Sequence, residues 1–143
     1  MKSSRLTISS RTGNLEALRD FVADGASRFG FNPELAGKIA LAVDEACTNI
    51  IKHAYGFATD RSIEIQLNER GDEFEIVIQH DGESFNPENV STPDMKEYLS
   101  QYRRGGLGIH LMRSLMDRVE YSTTDDQRSQ VRLVKTLPRK VGS

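Results

Sequence analysis

Two apolar–polar alternations separated by a glycine turn constrain this chain most. Ile63, Ile65 and Leu67 recur at every second position, and so do Phe74, Ile76 and Ile78, with Arg70-Gly71-Asp72 between the two runs. Successive strand side chains point to opposite faces. The pattern therefore predicts a hairpin with one apolar face, turning at Gly71. Such a face has to be covered, and the chain must supply the cover elsewhere.

Two helices that precede the hairpin supply it. Leu15, Leu18, Phe21, Val22 and Phe29 repeat at helical spacing, with Asn14 placed to cap their start and Gly30 to end them. A second helix is predicted from Pro33, a residue suited to a first helical turn, to about Tyr55, where Gly56 stops it. Leu6 and Ile8 predict an opening strand, and Val119 to Thr123 and Gln130 to Leu137 two closing strands around the turn Asp125-Asp126-Gln127-Arg128. A further helix is expected from about Gly106 to Met116. The order β-α-α-β-β-loop-α-β-β predicts an α+β fold. It is a two-layer sandwich, a mostly antiparallel mixed sheet covered on one face by helices. The 143 residues are read as one domain, residues 1–143.

Composition narrows the function classes. A net charge of −2 gives no cationic footprint for nucleic acid or an anionic membrane. The basic end Pro138-Arg-Lys-Val-Gly-Ser143 is read as a frayed terminus. No apolar run reaches membrane-spanning length, and the first residues lack a secretory apolar core. A single cysteine, Cys47, excludes an internal disulfide and reads as a buried small hydrophobe. The expectation is a cytoplasmic protein.

Three segments carry chemistry. On a helical wheel Leu35, Ile39, Val43, Ala46, Cys47, Ile50 and Ala54 form an apolar stripe, and Glu45, Asn49 and His53 descend one flank of it at intervals of four. A carboxylate there can take a proton from an attacking hydroxyl or water. An amide oxygen can hold Mg²⁺, which prefers oxygen ligands. The same flank is equally an acid–base helix face with Lys38 and Lys52. The second segment is the end of the hairpin. Phe74, Ile76, Ile78 and His80 share a face, and Asp81 falls on the other, before Gly82. A carboxylate at that end could accept from an adenine amino group, and Asp-Gly is also an ordinary turn pair. In the third segment Gly105, Gly106 and Gly108 open a helix, with Arg103 and Arg104 before them. Free N–H groups at a helix start bind phosphate, and glycines let it approach. No Gly-Lys-Ser/Thr follows, so this is not a Walker loop, and a hinge ahead of a core helix reads as well.

Taken together the segments resemble the N, G1 and G2 boxes of the GHKL ATPase superfamily, in its anti-sigma-factor serine/threonine kinase branch. The resemblance rests on Glu45-Ala46-Cys-Thr-Asn49-Ile-Ile-Lys-His53-Ala54-Tyr55, on Gly105-Gly106-Leu107-Gly108, and on Leu115-Met-Asp117-Arg-Val119-Glu-Tyr121. It covers nearly the whole chain. It implies a Bergerat-type ATP-binding fold using ATP and Mg²⁺, with Glu45 as catalytic base and Asn49 as the metal residue. It implies nucleotide contacts from Asn49, His53, His80, Asp81, Gly82, Arg104, Gly105, Gly106, Leu107 and Gly108, beneath a lid at about residues 86–104. The implied substrate is a serine on a small anti-sigma-factor antagonist of the STAS type. A sigma factor is the implied second partner, and dimers are common in the branch.

The chain departs from the pattern at one position. Where the branch carries the first Asp of Asp-Asp-Gly, the residue that meets the adenine amino group, this chain has His80. A neutral imidazole can still accept one hydrogen bond, and a protonated one cannot. Asp81 is one residue out of phase. Two classes of function stay open. One is an ATP-dependent protein kinase, favoured by Glu45 and Asn49. The other is a binding module that sequesters a regulator by contact alone, favoured by His80. A histidine-kinase-like catalytic domain ranks below both, since no dimerising phospho-acceptor helix pair is evident.

Overall fold

The computed structural model describes residues 2–56, 59–81, 114–126 and 128–138. Five strands form one sheet: β1 (Lys2–Ser9), β2 (Ser62–Arg70), β3 (Glu73–His80), β4 (Arg118–Thr123) and β5 (Ser129–Thr136). Their spatial order is β1-β2-β3-β5-β4. All four pairings are antiparallel, so the sheet contains no parallel pair among the described residues. The expected α+β sandwich is present, simpler than a mixed sheet. The β2–β3 hairpin turns at Gly71, whose φ of 59° lies in the left-handed region that glycine tolerates.

Two helices, α1 (Leu15–Phe29) and α2 (Pro33–Asn49), lie between β1 and β2 in the chain. Asn14 does not cap α1 through its side chain. Its amide instead donates to Ser9 Oγ at 2.7 Å and the Ser9 carbonyl at 3.1 Å, and a 3₁₀ turn (Thr12–Asn14) leads into the helix. The cap that does form is Asn32, whose side-chain oxygen accepts from Leu35 N–H at 2.8 Å ahead of Pro33. The second helix does not continue regularly to Tyr55. After Asn49 it widens into a π turn, Ile50–Ala54, closed by Tyr55 N–H on the Ile50 carbonyl at 2.9 Å.

The core lies between the helices and one face of the sheet. Leu18, Val22, Ile39, Val43 and Cys47 meet Ile63, Ile65, Phe74, Ile76, Ile78 and Leu133, all of them fully or almost fully buried. Each large apolar side chain so buried contributes about 1.5–3 kcal/mol. Burial pushes the Cys47 thiol up, leaving it an inert core residue. The opposite face of the sheet is polar. There Glu75 is buried in a network with Asn68 (2.6 Å) and Arg132, and Asn68 accepts from Ser3 at 2.8 Å and Gln66 at 3.0 Å. No helix among the described residues is long and apolar enough to cross a membrane.

Gly25 lets α1 pack closely on β2. A Cβ at Gly25 would stand 2.5 Å from Leu67 Cδ1, whereas one at Gly37 of α2 would meet nothing within 4 Å. Gly25→Ala is expected to lose up to about 2 kcal/mol net, because Leu67 is buried and its methyl has little room to turn, so an overpacking cost of about 1–3 kcal/mol exceeds the helix-interior gain of about 0.5–1 kcal/mol. Gly37→Ala is expected to gain about 0.5–1 kcal/mol by removing unfolded-chain freedom from a helix interior. Denaturant midpoints of the two variants should fall on opposite sides of the wild type. A shift in the same direction for both would refute the packing described.

Candidate functional site

Helix α2 places an acid and an amide one turn apart. Glu45 is half-buried and Asn49, its last residue, is 9 % exposed. Neither makes a hydrogen bond or ion pair with any other described residue. The Glu45 carboxyl is held above its ordinary range, first by burial, then by the charge of Asp44, with Lys52 opposing. A raised pKa brings a carboxylate closer to the range useful for proton abstraction near neutrality.

Asp44 itself was not singled out by pattern, yet it is buried. It faces α1, where Arg19 Nη1 donates to it at 2.6 Å, and Thr48 Oγ1 donates to its side chain at 3.2 Å and its carbonyl at 2.9 Å. The two adjacent acids thus differ in kind: Asp44 is a paired structural carboxylate, and Glu45 is a carboxylate with none of these constraints.

The far end of β3 meets the π turn through Tyr55. The register pairs Ile63 with His80, so Ser62 and Asp81 would form the next rung of the ladder. That rung is not made backbone to backbone. The Tyr55 hydroxyl stands in it, donating to the Ser62 carbonyl at 2.6 Å and accepting from Asp81 N–H at 2.8 Å. Both backbone groups are satisfied, and the strand end is pinned to the residue that closes the π turn. The Tyr55 ring also meets the His80 imidazole edge to face, with centroids 5.8 Å apart and planes at 89°.

His80 and Asp81 diverge as a period of two requires. His80 faces the helices and is 2 % exposed. Its Nδ1 lies 2.8 Å from the Asp81 carbonyl oxygen. Burial is the main reason its pKa is lowered, with the Arg128 charge adding to that, while the Asp81 carbonyl bond and charge oppose it. Asp81 is exposed on the polar face. Arg128 Nε reaches it at 3.3 Å, and Arg128 Nη1 also reaches Glu64 at 3.1 Å and Gln79 at 3.3 Å. Asp81 and His80 are therefore not brought to one place.

The other expected site residues cannot be located in this way. Gly82, Arg104, Gly105, Gly106, Leu107, Gly108 and the segment 86–104 lie outside the described residues. His53 belongs to the π turn, and the position of its side chain is likewise outside them. The π turn's closing hydrogen bond spans five residues instead of four. Tyr55 and Arg128 are the residues that pattern reading assigned no role. Tyr55 stands in the N-box run, so its place in that motif was the available signal. Arg128 offered none, because its partners come from the register of β2, β3 and β5.

The pairing of buried polar groups is uneven. Ser10 accepts from Arg61 N–H at 3.2 Å, and Asp44, Asn68 and Glu75 are bonded as described. Asn49 has no hydrogen-bond partner among the described residues, and His80 uses one ring nitrogen of two. Buried polar groups are almost always satisfied, and those that are not call for a ligand or another reason.

Comparison with known proteins gives this arrangement a family. The chain matches the histidine kinase-like ATPase domain over residues 8–135. It is 31% identical over 119 residues to the serine-protein kinase RsbW of Halalkalibacterium halodurans, a match covering 80% of this chain and 72% of that protein. It is 33% identical over 99 residues to the RsbW serine-protein kinase of Bacillus subtilis, covering 66% of this chain and 61% of the relative. To the Listeria monocytogenes RsbW serine-protein kinase it is 35% identical over 99 residues, covering 66% and 63%. The match thus spans less than two thirds of the length of the latter two relatives. The crystal structure of the RsbU and RsbW domains of Rv1364c from Mycobacterium tuberculosis shares the fold, with a TM-score of 0.66 at 15% identity over 97% of this chain and 33% of that one. A five-stranded antiparallel sheet under two helices, an acid and an amide one turn apart, and these matches together assign the chain: it belongs to the histidine kinase-like ATPase (GHKL) family, in the branch of the anti-sigma-factor serine kinases.

Proposed function

We propose that this protein is an ATP-dependent protein-serine/threonine kinase of the anti-sigma type. It would transfer the γ-phosphoryl group of ATP to a serine on a small STAS-type antagonist, in a cytoplasmic partner-switching circuit that controls transcription. The observation that carries this reading is the pair Glu45 and Asn49, one turn apart on α2: a carboxylate without an ion-pair partner and a buried amide without a hydrogen bond among the described residues. The serine-protein kinase names of its relatives support it.

Each residue has a task set by its chemistry. The Glu45 carboxylate takes the proton of the incoming serine hydroxyl, and its raised pKa suits it to do so near neutrality. The Asn49 side-chain oxygen suits Mg²⁺ as a hard, uncharged ligand, and no described residue occupies it. Mg²⁺ bound with ATP would neutralise phosphate charge, which is most of what phosphoryl transfer asks of a site beyond positioning. Phosphate contacts are assigned to Arg104, Gly105, Gly106, Leu107 and Gly108, base contacts to His80 with Asp81 and Gly82 beside it, and a further nucleotide contact to His53. The segment 86–104 would close over the nucleotide. A sigma factor is the proposed second partner, and a homodimer the proposed assembly. The second reading, a binding module without transfer, is favoured by His80 in place of a carboxylate and by the engagement of Asp81 with Arg128.

Titration calorimetry with Mg-ATP separates the two readings, with binding expected and an absence of heat and of thermal stabilisation refuting the kinase. Glu45→Ala is expected to cut transfer of labelled γ-phosphate to a cognate antagonist by about 10²-fold or more while ATP binding changes little. Transfer that survives the substitution would remove Glu45 from the mechanism.

A second variant tests Asn49. Asn49→Ala removes a buried polar group that nothing in the described fold satisfies, so the free protein should be as stable as the wild type or more so. The thermal shift produced by Mg-ATP should be lost in the same variant. A destabilised free protein that keeps its Mg-ATP shift would make Asn49 a structural residue.

A further inference from the structure

We propose that Leu41 is a specificity contact for the protein substrate, meeting an aliphatic side chain that lies within about two residues of the target serine. This rests on the proposed transfer of phosphate to a protein serine, and adds a residue that selects the chain around that serine.

Leu41 is the one large hydrophobic residue that is exposed among the described residues, at 47 %. Exposure of a leucine is ordinary by itself. Its place on α2 is what marks it. Leu41 precedes Glu45 by four residues, as Glu45 precedes Asn49, so the three follow one flank of the helix at intervals of about 6 Å. Exposure falls along that flank, from Leu41 through half-buried Glu45 to Asn49 at 9 %. The flank thus runs from solvent into the fold, and Leu41 stands at its solvent end. The helix surface one turn before it is low and polar. Gly37 has no side chain there, and a Cβ on it would meet nothing within 4 Å. Lys38 is engaged with Glu34 at 3.5 Å.

The occupant follows from the reaction. A serine hydroxyl has to come within hydrogen-bond reach of the Glu45 carboxylate for its proton to be taken. The chain that carries the serine arrives from solvent, and the residue on the solvent side of Glu45 along this flank is Leu41. The residue on the other side, Asn49, is buried. An extended segment rises about 3.3 Å per residue, so two residues span the interval of about 6 Å between Glu45 and Leu41. An aliphatic side chain at that distance from the serine takes the exposed part of Leu41 out of water. A polar one is desolvated against a leucine that offers it no hydrogen bond. Discrimination between substrates then comes from apolar contact at Leu41, while Glu45 acts on the hydroxyl.

The experiment is transfer of labelled γ-phosphate from Mg-ATP to the small STAS-type protein that accepts it from the wild type, with the concentration of that protein varied. Leu41→Ala and Leu41→Gln, changes that an exposed position tolerates, are expected to raise KM for the protein substrate about three- to tenfold, with kcat and the affinity for Mg-ATP little changed. Replacing the aliphatic residue beside the substrate's serine with Gln should raise the wild-type KM in the same way and add little in Leu41→Ala. Cover is read directly on Leu41→Cys. The native Cys47 is buried and burial pushes its thiol up, so alkylation reports the introduced thiol. That alkylation should slow when the substrate protein is added, and alkylation of Glu120→Cys, on the open face of the sheet, should not. An unchanged KM, or a thiol at position 41 that reacts as fast with substrate present, overturns the role of Leu41 and leaves the kinase reading intact. Protection that grows with the concentration of the variant itself, without substrate, makes Leu41 a contact between copies and overturns the proposal as well. Absence of transfer by the wild type overturns the proposed function, and this inference with it.

Discussion

The Tyr55 hydroxyl, standing where a rung of the β-ladder would be, is the contact on which the arrangement of the site depends. A backbone rung between Ser62 and Asp81 would extend the hairpin. The hydroxyl instead satisfies both groups and couples the strand end to the helix that carries Glu45 and Asn49. A hydrogen-bonded phenol can do this at low cost because it donates and accepts at once. The π turn is part of the same device, since Tyr55 supplies the N–H that closes it. π turns recur at functional sites, where an added residue re-aims the chain beyond it.

The fold treats its buried polar groups in two ways. On the open face of the sheet, Glu75 is surrounded by Asn68 and Arg132, and these lower its pKa despite burial that raises it. Between the helices, Asp44 is answered by Arg19 and Thr48. These groups stabilise the structure and are complete without a ligand. Asn49 and the second nitrogen of His80 are left incomplete within the described residues.

Much of the fold was legible because it is periodic. The alternation of Ile63 to Leu67 and Phe74 to Ile78 set the hairpin and its apolar face, and the helical repeats marked the faces of α1 and α2. Errors fell where a local rule met a competing partner. Asn14 has the chemistry of a cap, but Ser9 at the end of β1 lies near enough to take its amide. Asp44 breaks the apolar pattern of α2 and is buried anyway, because Arg19 on the neighbouring helix neutralises it. The second helix, expected to run regularly to about Tyr55, turns π after Asn49.

The sequence by itself determined the layer architecture, the family, and the placing of Glu45 and Asn49 on one helix one turn apart, since these follow from period and spacing along the chain. It also separated His80 from Asp81, because a strand sends neighbours to opposite faces. Only the tertiary structure decided what those residues became. The burial of His80, the capture of Asp81 by Arg128 and the tyrosine strut between helix and strand all depend on groups far apart in the chain. Periodicity records which face a residue takes. The partner it finds there is set by how strands and helices register against one another, and no local spacing encodes that.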